Sequence, residues 1–428
     1  MKKMKFSLLL TLALSITASI MPGTKAKAAE EPPTIQGLSA VTLDFETGEI
    51  IYAKNIDDKM YPASITKLMT ALLFAENKQK TDVITYTESA YKQPAYSLRS
   101  EIYFKLKVGD TMSAADVMNA MLLFSGNDSA YMAADAVAGD SDSFIKMMNE
   151  KAKAIGMNNT NFVTANGLHD PNHYTTAYDL AILGATAYKN EWVREAMGTK
   201  EAKITLLTTG QPAYIENRNK LLGVDGNVGG KTGYTNPAGR CLVSIYERDG
   251  RKLIGVVLNA PYDETDSAVF NDMQKIIDYS YGVEKTVLKA KNSEIGTVEL
   301  QYKAFKFFGP TKTIKVPYII KDDVMYYEND INKEETKIDV KLNDIDPWKL
   351  STDKAIGNLL VTQRPSQPTR NVSVYPTISS DALVAANKGL YIGTAIAAIA
   401  VLVILILFIS MIKKGSSRRG KRSRRSYF

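Results

Sequence analysis

The chain has a single cysteine, Cys241, in 428 residues, so no intramolecular disulfide can form and stability has to come from packing. Histidine is nearly as scarce. Only His169 and His173 occur, which argues against a His-rich metal site and leaves few candidates for a Ser-His-Asp triad. A serine enzyme built from this chain needs another base, and neither a metal nor a cofactor is expected. Basic charge is also scarce where it would matter for nucleic acid. The net charge is +7, but eight lysines and arginines lie in the last 16 residues and five lysines in the first 28, which leaves the part between mildly acidic. No nucleic-acid footprint remains. Hydrophobic residues make up 45% and charged residues 23%, an ordinary globular balance, and the length allows two domains with sizeable cores.

The ends of the chain carry what the middle lacks. Residues 1–28 combine a basic start (Lys2, Lys3, Lys5), an apolar run from Phe6 to Met21 and the sequence Ala26-Lys27-Ala28, the pattern of a signal peptide with an A-x-A cleavage site. The mature chain is then expected to begin near Ala29 and to be exported. At the other end, Leu390 to Ile412 is an uncharged, almost uninterrupted apolar run of 23 residues, enough to span a bilayer. The basic cluster of residues 413–428 follows it directly. Positive-inside logic puts that tail in the cytoplasm and the larger part outside, a single-pass arrangement in the cell membrane.

Between these ends, Leu38–Asp44 and Glu49–Lys54 alternate like two strands of a hairpin. A helical stretch follows to about residue 190, with Ser113-Ala-Ala-Asp116 as a capping box and Thr176 opening a further helix. Strand patterns return at Gly229–Thr235, Arg240–Tyr246 and Lys252–Asn259, and Asp272–Tyr281 reads as a closing helix. Strands, then helices, then strands imply an α+β domain over residues 29–281: one antiparallel sheet made from both ends and flanked by helices. Residues 282–362 shift to short alternating segments, expected to form a small all-β domain, a sandwich or similar, serving as a spacer. Residues 363–388, rich in Pro, Ser and Thr at first, read as a linker before the membrane helix of residues 389–412.

The chemistry is expected around Pro62-Ala63-Ser64-Ile65-Thr66-Lys67. On a helix, residues three apart share a face, so the Ser64 hydroxyl and the Lys67 amine can meet as nucleophile and base. Ser-x-x-Lys alone is weak, because it recurs at Ser89, Ser143, Ser351 and Ser410. Two further motifs single out Ser64: Ser125-Gly126-Asn127, 61 residues on in a turn between helices, and Lys231-Thr232-Gly233, 167 residues on in a strand. Lys67 works as a base only as a free amine, which burial or a neighbouring cation such as Lys231 would favour. Ser125 can relay a proton, and the Asn127 amide can bind a substrate peptide group. Gly233 leaves a bare strand edge for an extended substrate, and the N–H groups of Ser64 and Tyr234 suit an oxyanion. For His173 a wall of the site and loop packing are both open, and Cys241 reads as a small buried apolar residue.

With these motifs in order, residues 36 to about 281 resemble the D-alanyl-D-alanine carboxypeptidases, the low-molecular-mass penicillin-binding proteins. Met69-Thr70, Asp128, Phe144 with Met148-Asn149, Asn166-Gly167-Leu168, His173-Tyr174-Thr175-Thr176-Ala177 and Asn217-Arg218-Asn219 are similar to family segments in the same order. The resemblance implies a β-lactamase/transpeptidase-like fold and removal of the terminal D-alanine from peptidoglycan stem peptides through a Ser64 acyl-enzyme, with β-lactams trapping the same serine. The class A β-lactamase alternative lacks its deacylating glutamate, since no Glu occurs between Glu150 and Glu191. Transpeptidation, or an inactive wall-binding role, are the other readings. One departure stands out. The family's arginine about 30 residues after Lys-Thr-Gly is missing, as no arginine follows Arg251 until Arg364, so Lys231, Thr232, Thr235 and Arg218 are the candidates to hold the substrate carboxylate.

Overall fold

The computed structural model describes residues 31–94, 96–102 and 105–422, with side chains to residue 414; the expected signal peptide lies outside these, as do residues 423–428 of the basic tail. Strands β1 (Ser39–Asp44) and β2 (Ile50–Lys54) form the hairpin foreseen from their alternation. A tight 3₁₀ turn, Ala63–Thr66, then runs straight into helix α1 (Lys67–Asn77). Short strands β3 (Val83–Thr85) and β4 (Thr111–Ser113) precede α2 (Asn127–Ala138), α3 (Ser141–Ala154) and α4 (Ala177–Lys189). The Ser113 and Thr176 side chains cap helices by accepting from the Asp116 and Asp179 N–H groups. Strands β5 (Glu201–Leu206), β6 (Gln211–Glu216), β7 (Asn227–Thr235), β8 (Gly239–Arg248) and β9 (Arg251–Ala260) follow, then α5 (Ala268–Gly282).

The central sheet has the order β2-β1-β9-β8-β7 and is antiparallel throughout, built from both ends of the domain. Its strands are apolar on both faces because both are covered. On one side Leu242, Val257 and Leu253 meet Phe270, Met273, Ile276 and Ile277 of α5. On the other, Val41, Val243, Ile254 and Val256 join Leu68, Met69 and Leu183 of the helical middle. Each such side chain contributes about 1.5–3 kcal/mol on burial. Helix α1 is enclosed from Lys67 to Phe74, which holds its first turn rigidly in the core. A second sheet, β3-β4-β5-β6, was not foreseen. Two of its strands are three residues long, too short to show a period.

The second domain is built on β10 (Thr286–Lys289), β11 (Glu294–Lys303), β12 (Thr311–Ile320), β13 (Val324–Tyr326), β14 (Lys337–Leu342), β15 (Gly357–Thr362) and β16 (Arg370–Pro376), and it departs from the expected all-β pattern only by one short helix, Asp330–Glu335, and a 3₁₀ turn, Pro347–Lys349. Five of these form one antiparallel sheet, β11-β12-β16-β15-β14, and β10 pairs with β13. The expected linker over residues 363–388 is therefore corrected. Strand β16 lies inside that stretch, between β12 and β15, with Val374 buried, and the final helix α6 (Asp381–Arg422) starts before the linker was expected to end. Prolines and serines around residues 365–368 obscured an alternating strand just after them.

That proline-containing loop joins the two domains. Arg364 makes paired hydrogen bonds of 2.7 Å to Asp57 of the first domain and to Glu335 of the second, and lies over the Tyr178 ring at 4.4 Å. Gln367 donates to the Gly48 carbonyl, and Asn329 and Asn332 both donate to that of Ile50. Lys285 and Arg370 converge on buried Glu49. Because Asp57 is half exposed, the Arg364 clasp is worth less than a fully buried pair. Arg364→Ala is expected to weaken domain docking by about 2 kcal/mol. Limited proteolysis would read this as faster cleavage between β15 and β16, with the near-ultraviolet circular dichroism of the protein unchanged.

Candidate active site

Ser64 sits on the 3₁₀ turn and Lys67 opens α1, so the i,i+3 spacing places Lys67 Nζ 2.8 Å from Ser64 Oγ. The residue before the serine, Ala63, has φ +47°, a left-handed conformation that aims the serine out of the turn. It is held by close packing. A Cβ on Gly167, itself at φ +83°, would lie 1.8 Å from the Ala63 carbonyl oxygen, and one on Gly233 would lie 3.1 Å from Ser64 N. Only glycine fits at 167, and at 233 a side chain would crowd the turn.

The Lys67 amine has two further neighbours, Asn127 Oδ1 at 3.0 Å and the Asn166 carbonyl at 2.8 Å. Both are acceptors, whereas the Ser64 hydroxyl can donate. A neutral amine has two N–H groups and one lone pair, and this set matches it. The amine is fully buried, and that burial, helped by the positive charge of Arg218 and opposed by Asp128, lowers its pKa to about 7. Lys231, from β7, is equally buried and donates to Ser125 Oγ at 2.9 Å and to the Thr232 carbonyl. Its pKa is also held well below the ordinary lysine range, first by burial and then by the charge of Lys67.

Ser125 follows a widened helical turn, Ala120–Phe124, and has φ +73°, with its hydroxyl at the Lys231 amine. Asn127 begins α2. Its neighbour Asp128 is buried and accepts from the N–H groups of Leu98, Arg99 and Ser129 and from the Tyr86 hydroxyl, which ties the 96–102 segment to the start of the helix. Ser64 and Asn127 thus meet at the Lys67 amine and Ser125 meets the Lys231 amine, two hydrogen-bonded groups that make up one cluster of motif residues at the same cleft. None of the four other Ser-x-x-Lys serines belongs to it: Ser89, for example, bonds to Asp135, and Ser410 to its own helix.

The cluster opens into a cleft of about 890 Å³ lined by Ser64, Ser125, Asn127, Arg218, Thr232, Gly233, Tyr234, Thr235 and Arg240, among others. Arg218 lies over the Phe124 and Tyr96 rings. Arg240 was missed in the sequence. It sits opposite Tyr234 across the β7–β8 ladder, beside the paired rings of Tyr234 and Tyr262, and is paired with Asp266 through two hydrogen bonds. Asn166 was quoted only as part of a family-like segment, because a main-chain carbonyl carries no side-chain signature.

For His173, loop packing is what the structure shows. Its Nδ1 accepts from the Val163 and Thr164 N–H groups, so Nε2 carries the proton and donates to Thr66 Oγ1 at 2.8 Å, behind the serine turn. Burial lowers its pKa to about 4 and keeps it neutral. Cys241 is buried as expected, with its thiol pushed up to about 12, chiefly by desolvation.

The fold is similar to that of penicillin-binding protein 5 from Haemophilus influenzae, with a TM-score of 0.58 and 26% identity over 81% of this chain and 98% of that one. It is also similar to the Streptomyces K15 DD-transpeptidase, with a TM-score of 0.53 and 28% identity over 59% of this chain and all of that one. Among curated proteins, D-alanyl-D-alanine carboxypeptidase DacC of Escherichia coli is 36% identical over 62% of this chain and 66% of its own length. DacF of Bacillus subtilis is 29% identical over 76% of this chain and 80% of its own. The D-alanyl-D-alanine carboxypeptidase family profile matches residues 25–262, more than half of the chain and the whole of the cluster just described, and the chain belongs to that family.

Proposed function

We propose that this protein is a serine-type D-alanyl-D-alanine carboxypeptidase that removes the terminal D-alanine from peptidoglycan pentapeptide stems. The observation that carries the reading is the Lys67 amine, buried, placed 2.8 Å from Ser64 Oγ, with its other two neighbours both acceptors. Ser64 Oγ attacks the carbonyl of the penultimate D-alanine while its proton passes to Lys67. The oxyanion that forms is held by the N–H groups of Ser64 and Tyr234, a contribution of about 3 kcal/mol per donor in other enzymes. Collapse breaks the peptide bond, and the leaving amine takes a proton relayed from Lys67 through Ser125, with Lys231 holding that hydroxyl in place. Water then attacks the ester, Lys67 takes its proton, and Ser64 leaves with a proton from the same amine. β-Lactams form the same ester, with their amine leaving group still attached.

The stem lies along β7 against Gly233, with Asn127 and Thr235 bonding its amides. For its terminal carboxylate, Arg218 is the better of the two cleft arginines, since Asp266 already engages Arg240. The transpeptidase reading draws on the likeness to the Streptomyces K15 enzyme and differs only in the acceptor of the acyl group. α6 anchors the protein in the cell membrane as a single span, with the catalytic domain outside and the basic tail inside.

Labelling with a fluorescent penicillin, followed by peptide mapping, is expected to mark Ser64 alone; a mark on any other serine, or none, would sink the assignment. A pentapeptide ending in D-Ala-D-Ala is expected to release one alanine per stem, whereas a cross-linked dimer would make the protein a transpeptidase.

The pH dependence has a definite sign. Below about 7 Lys67 is an ammonium and cannot accept the serine proton, so the second-order rate of penicillin acylation rises as pH passes through about 7 and then levels off. Lys67→Ala is expected to lower that rate at least about a hundredfold. Arg218→Ala is expected to lower kcat/KM for the pentapeptide about 10- to 100-fold, mainly through KM.

A further inference from the structure

One loop at the far end of the second domain has no part in the chemistry. It joins β11 to β12 and reads Ala304-Phe305-Lys306-Phe307-Phe308-Gly309-Pro310. Phe307 is 82% exposed and Phe308 67% exposed. The loop has a defined shape: Phe305 N–H donates to the Phe308 carbonyl, the two rings stack at 5.1 Å, and Gly309 takes φ +90°. Lysines 303, 306 and 312 lie in it or flank it, and no acidic residue occurs from Tyr302 to Ile320; Lys315, farther along β12, pairs with Glu299.

Its height relative to α6 is set by contacts. Leu383 and Asn387 of the helix are buried against the domain, with Asn387 donating to the Tyr302 hydroxyl at 2.9 Å. One turn on, the Tyr391 hydroxyl donates to the Ala304 carbonyl at 2.5 Å, and its ring lies 5.3 Å from that of Phe305. Every residue from Ile392 to Ile412 is exposed and none is charged, and Lys413 and Lys414 end the run. At 1.5 Å per residue this stretch is about 32 Å long, against a hydrocarbon core of about 30 Å. Tyr391 therefore marks one edge of the apolar layer and Lys413 the other, and the phenylalanine loop is bonded to the helix at the Tyr391 edge.

We propose that this loop is a second membrane contact, in which Phe307 and Phe308 enter the headgroup–acyl boundary of the phospholipid bilayer that α6 crosses. Aromatic rings at that level with lysines beside them are what a membrane interface accommodates, the rings among the upper acyl segments and the ammonium groups against lipid phosphates. The opposite end of the same sheet carries the contacts to the catalytic domain, Arg364 and Arg370 among them. Strand β12, ten residues and about 33 Å long, separates the two ends. The loop thus gives the domain two feet on the bilayer, the helix and the rings, and fixes its tilt.

The proposal rests on α6 being a membrane span, and its test separates the two. Full-length protein in nanodiscs of phosphatidylcholine and phosphatidylglycerol, one copy per disc, would carry a nitroxide at Phe307→Cys, at Asp353→Cys on the exposed surface near the other end of the sheet, or at Ile399→Cys within the apolar run. Cys241 is buried, so the unaltered chain is expected to take no label. Acylation by a fluorescent penicillin shows that each variant is folded. Collisions with oxygen, relative to a water-soluble nickel complex, are expected to be severalfold more frequent at 307 than at 353, approaching the value at 399. A label at 307 as aqueous as that at 353, with 399 in lipid, would overturn the loop contact and leave the span standing. Aqueous values at 307 and 399 together would remove the span itself.

Discussion

Two buried amines, neither of them hydrogen-bonded to a carboxylate among the described residues, are the constraint around which the catalytic domain is arranged. Lys67 and Lys231 are both enclosed, and a low dielectric penalises charge on either. Nothing in their hydrogen bonding answers with a full negative charge; they meet hydroxyls, an amide oxygen and main-chain carbonyls. Such a set tolerates an amine that gains and loses a proton, where a carboxylate partner would hold the lysine charged. The nearby carboxylate, Asp128, is occupied elsewhere, with four donors around it.

The architecture keeps that cluster closed on its inner side and open on one outer side. α1 enters the core at Lys67 itself, so the Lys67 amine has no freedom to swing into water. β7 supplies Lys231 and, two residues on, the glycine that lets the strand touch the serine turn. His173 backs the same turn from behind through Thr66 and stays uncharged. The turn is thereby fixed from three directions, which is how a left-handed alanine next to Ser64 persists.

Much of this was legible from residue types and spacing. Ser64 and Lys67 share a face because of helical geometry, and the sheet assembled from both ends of the domain followed from the order of strand and helix patterns. What could not be read depended on atoms or pairings without a residue signature. The Asn166 carbonyl is a main-chain atom. Arg240 enters the cleft only because the β7–β8 register sets it opposite Tyr234, and spacing from Lys-Thr-Gly along the chain does not encode register. β16 was read as linker because the loop before it, which turns out to hold the domains together, is rich in proline and serine.

α6 runs unbroken from Asp381, so its first three turns are part of the second domain and its remainder continues the same axis. With that axis in a bilayer, the cleft becomes a tool on a fixed mount. Its search for substrate is then two-dimensional, by drift of the whole molecule in the plane of the membrane, and it samples one narrow layer of its surroundings. Stem peptides above or below that layer would stay uncut however long the protein persists, so the height of the second domain, as much as the chemistry of the serine, would decide which part of a polymer is trimmed.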